Sequence, residues 1–282
     1  MVRLRWLRRL LQDRLTLIGL LLLIPMGTLI LVGPLVGPYG PDEIDYLAML
    51  QAPTGVHWLG ADDLGRDVLT RVMVGGRLSL SVGLGSVLLA LLAGVPLGLL
   101  TGYLGGVIDE MIMRLIDSLL ALPPLVLALT ITAVLGPGLM NAMLAIAIVA
   151  IPTFTRLVRG QVIAVKQQEF VAAAVAVGVH PLGVVLRHIL PNIANPVIVQ
   201  ASLGVGFAII TESSVSFIGL GAQPPTATWG SMVQVGFQYL ETAPWLALAP
   251  AVMIFLAVLA FTLLGEGLRG ALDPQSRGRG ER

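Results

Sequence analysis

The sequence predicts an all-α membrane protein with six transmembrane helices and both termini in the cytoplasm. Three observations carry that expectation. Of 282 residues, 56% are hydrophobic and only 12% charged, against roughly 25% charged in a soluble domain; the mean hydropathy is +0.91. Uncharged runs recur at the length a helix needs to cross ~30 Å of hydrocarbon, about 20 apolar residues. Counted as six crossings, they leave most basic residues on one side.

Leu15 to Pro41 contains no charge and follows Arg3, Arg5, Arg8, Arg9 and Arg14. A cleavable signal peptide would have a shorter apolar stretch closed by a small-residue A-x-A site. No such site ends this run, which reads as a retained anchor. Leu78 to Ile108 is the second span. Ser118 to Thr155 is uncharged over 38 residues, too long for one crossing, and Gly136-Pro137-Gly138 interrupts it. It therefore reads as two helices joined by a short turn. His188 to Thr211 and Thr242 to Gly265 are the fifth and sixth spans. Ser213 to Leu240 is also uncharged, but SFIGLGAQPPTATWG suits irregular backbone, which lipid does not tolerate. It reads as a loop or re-entrant stretch at the outer surface.

An even number of crossings puts both ends on one side. There lie the five N-terminal arginines, Arg114, Arg156, Arg159, Lys166, Arg187, Arg269, Arg277, Arg279 and Arg282, fourteen of the 17 basic residues. Only Arg66, Arg71 and Arg77 fall outside, amid Asp62, Asp63 and Asp67. Basic residues mark the cytoplasmic face, so the segment Glu169 to Asn192 is cytoplasmic too.

Composition removes several function classes. The chain has no cysteine, which excludes disulfides, thiolate metal sites, Fe–S clusters and cysteine nucleophiles. His57, His180 and His188 stand in no metal-ligand spacing. Val165, not Gly, precedes the single lysine, Lys166, so no P-loop cradles ATP here. No span holds a His except His188 at the very opening of the fifth, and no G-x-S-x-G occurs, which leaves an intramembrane hydrolase without nucleophile and base. An ion-coupled secondary transporter often shows repeats and midplane ionisable groups; neither is evident. The expectation is a non-enzyme with no catalytic residue and no metal site.

EFVAAAVAVGVHPLGVVLRHILPN, from Glu169 to Asn192, is too charged for lipid and too helical for an idle loop. Helix formers run to Val177 and Gly178 stops them. His180-Pro181 starts a second helix, with Pro at a tolerated first-turn position, and Leu190-Pro191 ends it. Ala172, Ala173 and Ala174 keep one face low for close approach by another backbone. An amphipathic helix lying in lipid headgroups is the other reading of this composition.

The pattern A-A-A-x-x-x-G at Ala172 to Gly178, followed by RHILPN, resembles the EAA loop of bacterial binding-protein-dependent ABC permeases. HWLGADDLGRDVLTRVMVGGRLSLSVG (His57 to Gly83), GGVIDEMIMRLIDSLLALPPLVLAL (Gly105 to Leu129) and ESSVSFIGLGAQPPTATWGSM (Glu212 to Met232) are similar to successive blocks of peptide/nickel-type permease C subunits. The likeness runs in order from about Leu15 to Leu268. It implies the ABC type I importer permease fold in a bacterial cytoplasmic membrane. It divides the chain into an arm, first helix and outer segment at 1–77, a five-helix core at 78–268 with a coupling loop at 156–191, and a tail at 269–282. The loop would dock in a groove of a separate ATPase through Glu169, Ala172, Ala173, Ala174, Gly178, His180, Arg187 and Pro191. Ala172 stands where the family has its first Glu; Glu169, about one turn earlier, is a candidate to replace that contact. The implied partners are a second homologous permease, two ABC ATPase subunits that bind ATP and Mg, an extracytoplasmic solute-binding protein and the lipid membrane, with no nucleic acid. This chain would bind no cofactor itself. The implied cargo is a dipeptide or oligopeptide, nickel, or another small solute.

Remaining charged groups have competing readings. Glu110, Arg114 and Asp117 share a helix face at spacings of four and three and can pair. Asp117, the deepest, needs a partner, for which Arg114 is expected; contact with an inner gate or the ATPase is the rival. Glu212, with Ser213 and Ser214, closes the fifth span as a candidate for the substrate path or gate, able to meet an amino terminus or a cation. Otherwise it is a solvated charge at a helix end. Asp62, Asp63, Arg66 and Asp67 suit a salt-bridge cluster holding the outer segment, or a docking point for the binding protein. Gly83, Gly85, Gly94 and Gly98 suit close helix packing.

Overall fold

A computed structural model describes residues 13–272, and every regular element within them is helical. Arg3, Arg5, Arg8, Arg9, Arg277, Arg279 and Arg282 lie outside the described residues. α1 (Arg14–Val36) starts at Asp13, whose carboxylate accepts from Thr16 N–H at 2.9 Å. α2 (Val68–Leu104) starts at Asp67, which accepts from Thr70 N–H at 2.8 Å. α3 (Gly106–Leu120) and α4 (Pro124–Leu135) meet at 93°. α5 (Leu139–Lys166) leads to α6 (Glu169–Ala176) and the single turn α7 (Pro181–Gly183). A π-helical turn, Val184–Ile189, joins α7 to α8 (Leu190–Phe217). α9 (Trp229–Phe237) and α10 (Trp245–Leu272) complete the chain. Among the described residues five stretches are long and apolar enough to cross a membrane, and six if α3 and α4 count as one bent span.

The break at Gly136-Pro137-Gly138 is where the sequence places it, with Gly136 at φ 91° and Gly138 at φ 147°. Other boundaries differ, each for a local reason. The second span begins at Val68 rather than Leu78, because its early arginines are satisfied in place. Arg77 Nε donates to Ile30 O at 2.9 Å; Pro34 of α1 has no N–H to offer that carbonyl four residues back. The third span starts at Gly106, not Ser118, and breaks after Leu120, where Pro123 and Pro124 follow. Pro191 does not end a helix. It sits in the first turn of α8, where the missing N–H is tolerated. Just before it, Leu190 N–H bonds to Val185 O, five residues back instead of four, so helical backbone continues from Pro181 to Phe217. The fifth span thus ends at Phe217, and Glu212 lies inside it.

α2 and α5 form the central pair. A Cβ on Gly98 would stand 2.6 Å from Val158 Cβ, and one on Gly94 2.9 Å from Phe154 Cβ. Gly83 faces Ile209 of α8, and Gly85 faces Met143 of α5. These glycines set the approach distance, as small residues do between helices in lipid. Around them Val87, Ile146, Phe154, Ile209 and Trp229 build the main core, and α1 rests on α10 through Gly19 beside Leu264.

Candidate functional site

The elbow, expected on the cytoplasmic side, follows α5. In α6 only Val171 and Ala174 are buried, and Val171 joins Val158, Val162, Val184, Ile189 and Ile193 in one cluster. Ala174 therefore belongs to the inner face and not, as the sequence suggests, to the low face offered outward. Ala172 and Ala173 are exposed, with Glu169, Gly178, His180, Arg187 and Pro191. Gly178 makes the bend at φ 82°, a left-handed conformation that costs a β-branched residue dearly. His180 caps the next turn, its Nδ1 accepting from Leu182 N–H at 3.3 Å. Between these residues Phe170, Val175, Val177, Leu182 and Leu186 are all exposed, Val177 to 81%. Among the described residues neither Glu169 nor Arg187 has an ion-pair partner.

Beside the elbow, α3 is pinned to α5. Arg159 forks onto Asp109, Nε to Oδ1 at 2.6 Å and Nη2 to Oδ2 at 2.7 Å. Asp117 pairs with Arg156 at 2.5 Å, whereas Arg114 reaches back one turn to Glu110. The expected Asp117–Arg114 pair is absent among the described residues because a cross-helix arginine reaches Asp117 first. Nor is Asp117 deep: its side chain is 56% exposed.

At the far end of α8 the arrangement is opposite. Glu212 is fully buried. Its Oε1 accepts from Ser216 Oγ at 2.7 Å and its Oε2 from Ser79 Oγ of α2 at 3.1 Å. Ser79 Oγ in turn accepts from the backbone N–H of Trp229, at the start of α9, at 3.2 Å. The Trp229 indole N–H donates to Val72 O at 2.9 Å. Gly76 and Gly230 let these pieces close: a Cβ on the first would lie 2.7 Å from the Trp229 ring, and on the second 2.5 Å from Ser213 O. Glu212 is thus no solvated charge at a helix end, and no solute reaches it in this arrangement. Ser213 packs under Gly230, and Ser214 Oγ bonds back to Ile210 O at 2.8 Å.

Above this network the outer segment is held by charge. Arg71 donates to Pro41 O at 2.9 Å, to Asp42 at 3.0 Å and, across the chain, to Pro225 O at 3.4 Å. Asp62 takes Arg66 at 2.7 Å and Arg71 at 3.4 Å, and His57 Nδ1 meets Asp67 at 3.0 Å. The salt-bridge cluster read from the sequence is present, with Arg71 as its hub. Sequence reasoning gave no role to Arg71, Ser79, Ser216 or Trp229. Ser216 was within reach, four residues after Glu212 on one helix face, once the helix is known to continue. Among the described residues no three His, Cys, Asp or Glu side chains gather as a metal centre would need.

Comparison with known proteins places this geometry. Residues 94–278 match the family described as binding-protein-dependent transport system inner membrane component, and residues 4–53 match the N-terminal TM domain of oligopeptide transport permease C. The chain is similar to the dipeptide transport system permease protein DppC of Alkalihalophilus pseudofirmus, 44% identical over 270 residues, covering 96% of this chain and 89% of that one. It is 44% identical over 239 residues to the glutathione transport system permease protein GsiD of Pectobacterium atrosepticum, covering 84% and 79%. The probable D,D-dipeptide transport system permease protein DdpC of Escherichia coli is 43% identical over 265 residues, covering 94% and 89%. Among solved structures, the MetNI methionine ABC transporter in inward facing conformations aligns with a TM-score of 0.58 at 18% identity, over 72% of this chain and 97% of that one. That likeness is one of fold.

Proposed function

The chain belongs to the family of binding-protein-dependent transport system inner membrane components, and from that premise we propose that it supplies half of a translocation path for short peptides. It is a multi-pass permease of a bacterial ABC importer. The proposed cargo is a dipeptide, oligopeptide or glutathione-like solute; the relatives are named as dipeptide, D,D-dipeptide and glutathione permeases. A second permease would complete the path, an extracytoplasmic binding protein would deliver the solute, and two ATPase subunits would bind ATP and Mg. This chain would then perform no covalent chemistry.

One observation carries the reading: the exposed apolar surface of the elbow is continuous, through the π-turn, with membrane-spanning α8. Phe170, Val175, Val177, Leu182 and Leu186 stand exposed on a segment carrying Glu169, His180 and Arg187. Lipid would suit the apolar side chains but not those polar ones, whereas a groove in a protein accommodates both. A nucleotide-driven movement of that groove would tilt α8 and open the path alternately to the two sides, a rigid-body transition.

The test is reconstitution with the second permease and both ATPases. Val177→Asp with Phe170→Asp is expected to abolish ATPase co-purification while membrane insertion is retained. Undiminished co-purification would remove the elbow from the coupling role. Uptake by this chain alone under an ion gradient would refute the import scheme altogether.

A further inference from the structure

The geometry points to Glu212 as a positioning residue: through Ser79 it fastens the outer helix α9 to α2 and α8, so that movement entering α8 at the elbow arrives at the outer mouth.

Three features of the site support this. First, among the described residues no basic side chain pairs with Glu212. Both carboxylate oxygens are taken by hydroxyls, those of Ser216 and Ser79. A buried carboxylate is costly unless it is fully hydrogen-bonded, so the site holds the acid for what it organises. Second, what it organises is the start of α9. Trp229 N–H, a helix-start donor with no partner inside its own helix, is satisfied by Ser79, whose hydroxyl donates onward to Glu212. The Trp229 indole, fully buried and bonded to Val72 O, anchors the same point to α2 a second time. Third, Glu212 and the elbow share one helical stretch, Pro181 to Phe217. From Ile189 to Glu212 the rise of 1.5 Å per residue gives roughly 35 Å, slightly more than the ~30 Å hydrocarbon core of a membrane. Coupling over such a distance is carried by secondary elements and the networks packed on them, here the helical stretch and what Glu212 ties to its end. That is α9, which packs on α10 and α8 as well as on α2.

This inference rests on the import reading, and the experiment separates the two. The chain has no cysteine, so a single cysteine at Ala227, buried at 6% exposure next to the Thr228 cap, reports the lock without background from this subunit. The full transporter carrying Ala227→Cys is placed in proteoliposomes and treated with a membrane-impermeant maleimide. Slow labelling is expected in the parent, and labelling about tenfold faster with Glu212→Ala, as local opening frees the start of α9. Glu212→Gln, which keeps the shape and an acceptor oxygen, restores slow labelling. In parallel, Glu212→Ala is expected to hydrolyse ATP at the parent rate while moving several-fold fewer molecules of a radiolabelled dipeptide per ATP. A merely structural role would lower both together. Protection unchanged in Glu212→Ala, or an unchanged dipeptide-to-ATP ratio despite fast labelling, overturns the proposal. Should Glu212→Ala fail to accumulate, Ser79→Ala removes the relay alone and is read in the same way. If the parent itself moves no dipeptide, the import reading fails, and the labelling arm still decides the lock.

Discussion

The two ends of α8 were built by opposite rules. At the outer end every polar atom of Glu212 is engaged, Trp229 is fully buried, and two glycines let three elements close on one another. At the elbow end the chain exposes apolar side chains, and Glu169 and Arg187 have no ion-pair partner among the described residues. The contrast teaches that a buried, saturated network fixes the position of a segment relative to its own fold, and an exposed, unsaturated one leaves that position to a neighbour. Substitutions at the outer end should therefore be read in stability, and those at the elbow in coupling.

Trp229→Ala should break that contrast most severely. Truncating a buried tryptophan costs about 3–5 kcal/mol, and here Val72 O also loses its indole donor. A large fall in the thermal unfolding temperature of the purified subunit is expected, and an unchanged one would mean that α9 is not held as described. Gly98→Val comes next. Its new methyls must fit where a Cβ already stands 2.6 Å from Val158 Cβ, and overpacking of this kind costs about 1–3 kcal/mol. Arg159→Ala leaves Asp109 without its fork, a loss of about 1.5–3 kcal/mol for hydrogen bonds to a charged group. The same melting assay reads both.

The elbow variants should do the reverse. Gly178→Val forces a β-branched residue into φ 82°, a local cost of about 1–2 kcal/mol borne by an exposed segment. Global unfolding should barely shift, while solute moved per ATP hydrolysed falls. Ala173→Trp adds bulk on an exposed face, where substitutions usually stay within about 0.5 kcal/mol. Stability should be unaltered and ATPase co-purification lost. If either variant melted early with coupling intact, the two ends would not differ as argued.

Much of this was legible in the sequence because lipid imposes strong rules. The uncharged runs, the Gly136-Pro137-Gly138 break, the bend at Gly178 and the outer acid–arginine cluster all follow from single residues with one physical meaning. The helix ends were not legible in the same way. Arg71 and Arg77 look like the limit of a span until Asp42, Asp62 and the carbonyl of Ile30 are known to meet them. Pro191 looks like a stop until the backbone before it is seen to widen. Glu212 looks like a surface acid because the hydroxyl and the helix that bury it lie far away in the chain. Local rules fixed where the chain turns; long-range partners decided which charges could enter the interior.

The bond from Arg77 to the carbonyl of Ile30 bears on how this protein is made. The first helix leaves the ribosome with a gap in its backbone bonding at Pro34, and the group that fills it is not synthesised until the second helix follows. In hydrocarbon an open carbonyl is poorly tolerated unless a neighbouring helix re-satisfies it, and Arg77 does so from the second helix. The two segments complete one another's bonding only when both are in place.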